Sequence, residues 1–254
     1  MDTASAHMLN RVNTRFYLEN AQSFSQTRHA SWAGWEQALQ LLGASQPPRS
    51  GPDLACGNQR FEAFLAQRYP GAQISARCID SCGALVGQLA VPSPISVEFE
   101  QRDIVDQLLE GGALQLPSAQ LAVCFGFMHH VPGSTARKQL LQELFRCVEP
   151  GGCLAVSFWQ FLEEESLAQR AQETTRTALA ELGLDAAELE QGDCLLGWQG
   201  APGAWRYCHS FTAKEVEGLA QRALQASGRT AQLSFFEADG RNGRLNRYLL
   251  ARLG

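Results

Sequence analysis

Asp80 and Asp103 each close a short strand-like run, and Asp53 opens the turn Asp53-Leu54-Ala55-Cys56-Gly57-Asn58-Gln59-Arg60-Phe61. A fourth run, Leu121–Phe127, leads into Met128-His129-His130. A carboxylate accepts from two donors at once, so an acid ending a second strand suits the paired hydroxyls of a ribose. One ending a third strand suits an adenine amine. Read singly, each aspartate serves equally well as a helix cap. Four such strand ends in one sheet point instead to a nucleoside ligand, since ligands of open α/β sheets bind outside the carboxyl ends of the strands. His130 and His209 are the candidate bases, and the His129-His130 pair fits a strand-end cap as readily as a substrate contact.

These residues need elements to hold them. Residues 10–42 read as helical, with Thr27 or Ser31 as the cap of the part carrying Trp32 and Trp35. Gly43 ends that helix, and residues 46–52, with three prolines, read as loop. From Asp53 onward helices and strands alternate. A helix runs to about Tyr69, then come a strand Gln73–Ile79, a helix Cys82–Leu89, a strand Ile95–Gln101 and a helix Asp103–Glu110. Leu121–Phe127 reads as a central parallel strand, Arg137–Cys147 as an amphipathic helix and Cys153–Trp159 as the next strand. After it come a long helix Glu163–Leu182, a loop through Asp193, Trp198, Pro202 and Trp205, a helix Thr212–Ala226 capped by Thr212, and strands Ala231–Glu237 and Leu245–Arg252. Asn242-Gly243 favours a hairpin, so the last strand is expected antiparallel. The pattern predicts a doubly wound, mostly parallel seven-stranded α/β sheet in a single domain. Its expected parts are a helical cover (1–46), a core (53–159), a lid insertion (160–210) and a C-terminal helix and hairpin (211–254).

Composition bounds the function. The 254 residues are 45% hydrophobic and 19% charged, enough for a proper core. No apolar run is long enough for a membrane span, and the first residues lack a leader's apolar stretch, so a soluble, cytoplasmic protein without membrane association is expected. The net charge of −5, with nineteen arginines against two lysines, is unfavourable to gripping bare nucleic acid. None of the eight cysteines forms a C-x-x-C pair, so they read as small buried hydrophobes and no metal is expected. Trp198 and Trp205 read as lid packing or as base-stacking platforms, and Arg241, Arg244 and Arg247 as a solvated face or an RNA grip.

The ordered segments DLACGN, IDSCGALV, EQRDIV, VCFGFMHHVP and LFRCVEPGG resemble a class I S-adenosylmethionine-dependent methyltransferase over about residues 53–159. The flanks FYLENAQSFSQTRHASWAGW, GWQ and YCHSFTAKEVEGL are similar to the tRNA wobble-uridine carboxymethyl methyltransferases. The resemblance implies S-adenosylmethionine as cofactor. Asp53, Ala55, Cys56 and Gly57 would then line its methionine and ribose end, Asp80 would bind the ribose, and Ser81 would cap the next helix. Asp103 and Ile104 would meet the adenine, and Phe125 the methionine portion. Arg28, in the family's TR element, would sit over the pocket near a carboxylate. Tyr17, His129, Trp198, Arg206 and His209 are the implied acceptor-side residues, with His130 as catalytic base where one is needed. The family further implies a tRNA acceptor and, in its eukaryotic members, a small zinc-binding partner subunit.

The chain departs from the family pattern at Ala55 and Gln59, where glycines are usual, at Pro52 in the first strand, and at Gln120, where an aspartate usually opens the fourth. A non-glycine residue forced to positive φ costs about 1 kcal/mol. Three functions follow as expectations: methylation of a wobble-uridine side chain, methylation of a small-molecule carboxylate or hydroxyl, and a degenerate fold kept as a binding subunit. A carboxylate acceptor is already ionised at neutral pH and needs orientation, by Arg28 or Arg206, rather than a base.

Overall fold

Alternation of apolar residues along each strand sets two buried faces on one sheet. Leu54, Ile79, Ala122, Cys124, Leu154, Val156, Leu249 and Ala251 point to one side, and Cys78, Val123, Ala155, Tyr248 and Leu250 to the other. The computed structural model describes residues 1–43, 46–87 and 89–254. Its main sheet comprises β1 (Ser50–Leu54), β2 (Ser75–Asp80), β3 (Ser96–Gln101), β4 (Ala119–Cys124), β5 (Val148–Trp159), β8 (Ala231–Ala238) and β9 (Asn246–Leu253), in the order β3-β2-β1-β4-β5-β9-β8. β9 runs antiparallel to both neighbours and the other adjacent pairs are parallel, as the hairpin signal predicts. Helices α2 (Ala33–Leu41) and α3 (Arg60–Arg68) cover one face; α4 (Ile104–Leu109), α5 (Ser134–Cys147) and α7 (Ala213–Ser227) cover the other. The chain winds outward from β1 to β3 and returns to β4, so the switch point lies between β1 and β4.

Over the carboxyl ends of these strands lie α1 (Thr3–Gln26), α6 (Glu165–Leu182) and a two-stranded hairpin of β6 (Asp193–Gly197) and β7 (Trp205–His209). Leu9 of α1, Ala178 of α6, Leu195 of β6 and Tyr207 of β7 form a separate buried cluster that joins them. The hairpin replaces the expected loop: Cys194, Leu195 and Tyr207 are buried, and the glycines and proline between them form the turn rather than break the strands. No helix among the described residues is long and apolar enough to cross a membrane.

Other expectations need correction. Neither Thr27 nor Ser31 caps α2; its N-cap is Trp32, without a side-chain bond, and Thr27 closes α1 instead. The helix expected at Cys82–Leu89 is a single turn, Gly83–Leu85, ended where Val86 becomes extended; Gln88 lies outside the described residues, as do residues 44–45 of the expected cover. Residues 50–52 belong to β1 rather than to a loop. Pro52 is tolerated there because β1 meets β4 only at Asp53↔Val123, so the missing N–H interrupts no ladder on that side. Gly51 is required at this position, since a β-carbon would overlap the Leu121 carbonyl oxygen. Gln120 takes a structural task, its Oε1 accepting from the Arg49 backbone N–H at 3.1 Å.

Candidate functional site

The turn after β1 is built from three left-handed residues, Ala55 (φ 59°), Gly57 (φ 55°) and Gln59 (φ 63°). The curl lets Ala55 N donate to the Ile79 carbonyl at 2.7 Å and Gly57 N donate to Asp80 Oδ2 at 2.9 Å. The strain expected at Gln59 is therefore present, and Ala55 shares it, at about 1 kcal/mol each. The side chain of Gln59 does not crowd the site: its Oε1 accepts from Gly87 N at 3.4 Å, outside the cavity wall.

The cavity above this turn has a volume of about 620 Å³. Arg28, Asp53, Ala55, Cys56, Gly57, Asp80, Ser81, Asp103, Ile104 and Phe125 all line it, as do Tyr17, His129, His130 and Arg206. Residues separated by most of the chain thus meet at the switch point. Asp80 also accepts from Cys82 N at 2.8 Å, and burial pushes its carboxyl above the usual range. Asp53 is raised further, by burial and by the facing carboxyl of Glu62. Asp103 caps α4 through Asp106 N and accepts from Asn10 Nδ2 at 3.1 Å, which ties α1 to the third strand end. Ser81 does not cap a helix, because the short turn after it starts from Cys82 without a side-chain cap. Sequence reasoning missed Asn10, Trp32, Arg60, Asp239 and Asn246 in this wall. Asp239 sits in the recognised hairpin turn, but only the fold brings its carboxylate to Gly34 N (3.0 Å) and the Tyr248 hydroxyl (2.6 Å).

His130 is fully engaged. Nδ1 lies 2.8 Å from the Tyr207 carbonyl, which can only accept, so Nδ1 carries the proton and Nε2 accepts from the Tyr17 hydroxyl at 2.8 Å. Burial and the Arg206 charge push the His130 pKa down to about 3, and burial raises Tyr17 to about 12. His130 therefore offers no free base to the cavity; it holds Tyr17. His209 is displaced altogether. Its ring bridges Asp193 (2.6 Å) and Glu215 (2.9 Å) and is absent from the cavity wall. Trp198 lies outside this wall, packed at 5.8 Å on Phe16 and 5.5 Å on Phe24, and lines a smaller cavity that shares Arg28 and Arg206 with it. Arg244 and Arg247 pair with carboxylates at Glu237 and Glu217, so they form an ordinary salt-bridged face.

One grouping runs against the expectation drawn from the cysteines. His129, His130 and Cys208 bring potential ligand atoms within 4.8 Å of one another, which their sequence separation concealed. The surroundings do not suit a cation: both His130 nitrogens are committed, burial depresses both histidines, and the neighbouring Arg206 charge lowers both further, after His130 in the case of His129. All eight cysteines are free thiols, and all but Cys153 are buried.

Arg28 and Arg206 face the cavity without a carboxylate within 4.0 Å among the described residues. Arg206 lies 5.0 Å from the ring centroids of both Phe16 and Trp198, and Arg28 lies 4.9 Å over Phe24. Burial first, and Arg206 second, lower the pKa of Arg28. Two guanidiniums held together with no counter-ion make a receptor for an anion.

The methyltransferase domain family, type 11, matches residues 52–156. Over that stretch, under half of the chain, the sequence is similar to a methyltransferase domain. A solved S-adenosylmethionine-dependent methyltransferase from Methanosarcina mazei superposes with a TM-score of 0.59 at 18% identity, over 84% of this chain and 96% of that one. Among curated proteins, a tRNA (carboxymethyluridine(34)-5-O)-methyltransferase of Mus musculus is 26% identical over 61% of this chain and 21% of its own length. A trans-aconitate 2-methyltransferase of Deinococcus radiodurans is 32% identical over 46% of this chain and 41% of its own. The matched part is thus well under two thirds of either relative. The chemistry of the cavity fits S-adenosylmethionine. Gly57 leaves open space where a β-carbon would stand, Asp80 ends the second strand, and four aspartates in the wall suit a cationic sulfonium and ammonium.

Proposed function

We propose that this protein transfers a methyl group from S-adenosylmethionine to a carboxylate, forming a methyl ester. The observation that carries the reading is the unpaired couple Arg28 and Arg206 at the cavity wall. Bound there, S-adenosylmethionine supplies an electrophilic methyl group: the new O–C bond forms as the C–S bond breaks, and that electron pair remains on sulfur. Asp80 would accept from the ribose, Asp103 and Ile104 would flank the adenine, and Gly57, Asp53 and Phe125 would border the methionine end. Arg60, stacked 5.4 Å from Trp32 beside the glycine turn, is placed to meet the cofactor's own carboxylate. Arg28 and Arg206 hold the acceptor carboxylate, and Tyr17, fixed by His130, fills the wall behind it. No general base is needed, because the acceptor is ionised at neutral pH. Fixed geometry then supplies most of the acceleration.

The names of both curated relatives refer to acceptors that contain a carboxylate, a carboxymethyl uridine and aconitate. A small organic acid suits the acidic chain, as −5 is unfavourable to a polyanionic RNA. The tRNA reading is the second, supported by the flanking segments around Arg28 and Gly197-Trp198-Gln199. It would call for a partner subunit to supply positive surface.

Calorimetry with S-adenosylhomocysteine tests whether the cavity holds cofactor; no heat at millimolar ligand would establish a degenerate fold. Radiolabelled methyl transfer to a panel of organic acids and to tRNA tests the acceptor. An ester is recognised by release of the label as methanol in mild alkali. Alkali-stable product would sink the carboxylate reading.

A further inference from the structure

A second cavity, of about 390 Å³, adjoins the first and shares Thr27, Arg28, Trp159 and Arg206 with it. Its remaining wall is largely apolar, with Phe161, Leu167, Ala171 and Leu196, and carries one further charge, Arg170 on α6. Among the described residues, no aspartate or glutamate lines it. Three arginines around one small chamber, with no acid, is the reverse of the chain's overall charge of −5. Arg170 is exposed and belongs to the smaller cavity alone, so it stands toward the solvent side, whereas the inner arginines face the larger cavity. None of the three is in a salt bridge among the described residues. Arg206 is only 7% exposed, and its Nε is buried without a partner. A buried cation without a counter-ion is costly unless a ligand supplies the charge.

We infer that the smaller cavity is the acceptor chamber and that the acceptor is a small organic acid bearing at least two carboxylates. The carboxylate to be esterified lies between Arg28 and Arg206, where the two cavities meet. The second is held by Arg170 at the mouth, and the carbon skeleton rests on Trp159, Phe161 and Leu167. Arg170 is thus a specificity residue, since it touches the end of the acceptor that does not react. The volume is that of a small-molecule site, and the chamber's field concentrates anions ahead of binding. This inference rests on the carboxylate reading above and narrows its substrate class.

The test uses the full chain with glutarate and tricarballylate as probes and valerate as the single-carboxylate control of matching length. The expected result is methyl ester formation with a KM at least tenfold lower for glutarate than for valerate. Arg170→Gln should raise the glutarate KM about tenfold with kcat unchanged, and leave both valerate turnover and S-adenosylhomocysteine affinity as they are. Equal KM values for glutarate and valerate, or an Arg170→Gln enzyme that handles glutarate normally, would overturn the inference. Calorimetry on the S-adenosylhomocysteine-loaded protein separates the two levels. Glutarate or tricarballylate binding that weakens in Arg170→Gln supports the chamber even where no ester forms, in which case the carboxylate reaction alone fails. Ester formed on tRNA, with no binding of either probe, overturns the chamber assignment and leaves the carboxylate reaction standing.

Discussion

Asn58 Nδ2 donates to the backbone carbonyl of Arg28 at 2.9 Å, and to Ser25 Oγ at 3.0 Å. The turn after β1 therefore anchors the end of α1, and with it the guanidinium that faces the cavity. Asn58→Ala removes both bonds and strands a half-buried carbonyl, a change worth about 1–3 kcal/mol. Turnover should fall roughly tenfold or more. Initial rates at saturating cofactor check this; unchanged rates would mean that Arg28 does not act through its position.

Arg28 and Arg206 should act on the acceptor more than on the cofactor. Charge-assisted bonds of this kind contribute about 1.5–3 kcal/mol, so Arg28→Ala and Arg206→Gln should each lower kcat/KM for the acid by about 10–100-fold. Kinetics paired with calorimetry would show it. A loss confined to S-adenosylhomocysteine affinity would move Arg28 to the cofactor's carboxylate.

Asp80 is expected to contribute mainly to cofactor binding. Asp80→Asn keeps an acceptor for Gly57 N but loses the charge, and should weaken S-adenosylhomocysteine by about tenfold, since a hydrogen bond to a charged group is worth about 1.5–3 kcal/mol. Titration calorimetry measures it directly, and an unaltered dissociation constant would remove the ribose assignment.

With His130 at about 3 and Tyr17 at about 12, neither group titrates near neutrality. Activity on a carboxylate should thus be flat from about pH 6 to 9 as far as these groups are concerned. Stability is another matter. The folded chain holds His130 neutral below the ordinary value of 6.5, so between 6.5 and about 3 the unfolded chain binds a proton that the folded one does not. The stability from this group is complete above 6.5 and is lost as pH falls through that window. His209, raised by its two carboxylates against the effect of burial, acts oppositely: its contribution is present below 6.5 and is lost as pH rises through its elevated pKa. Melting temperatures of wild type and His130→Gln across this range should converge toward acid pH; parallel curves would contradict the neutral buried imidazole.

Gly51→Ala should be among the most damaging single changes, because the new β-carbon meets a backbone oxygen that cannot rotate away. Overpacking of this kind costs about 1–3 kcal/mol or more. Gly57→Ala meets no atom but is strained at φ 55°, and should cost only about 1 kcal/mol. Chemical denaturation of the two variants orders them.

The sequence by itself determined the sheet, its antiparallel last strand and the strand-end residues that line the larger cavity. Those features are local: period-two apolar runs, glycine turns, and acids at strand ends, each legible within a few residues. Thus Asp53, Asp80, Asp103 and Phe125 were readable from their places in the strand–helix alternation. The rest of the cavity wall was not, because it is assembled from α1, the end of β5, α6 and β7, whose spacing follows only from how they pack over the sheet. Only the tertiary structure decided that Arg206 faces Arg28 across the cavity wall, that His130 is spent on Tyr17 and Tyr207, and that His209 turns to Asp193 and Glu215. A histidine's or arginine's chemistry depends on which charges burial places beside it, and sequence spacing does not encode those neighbours.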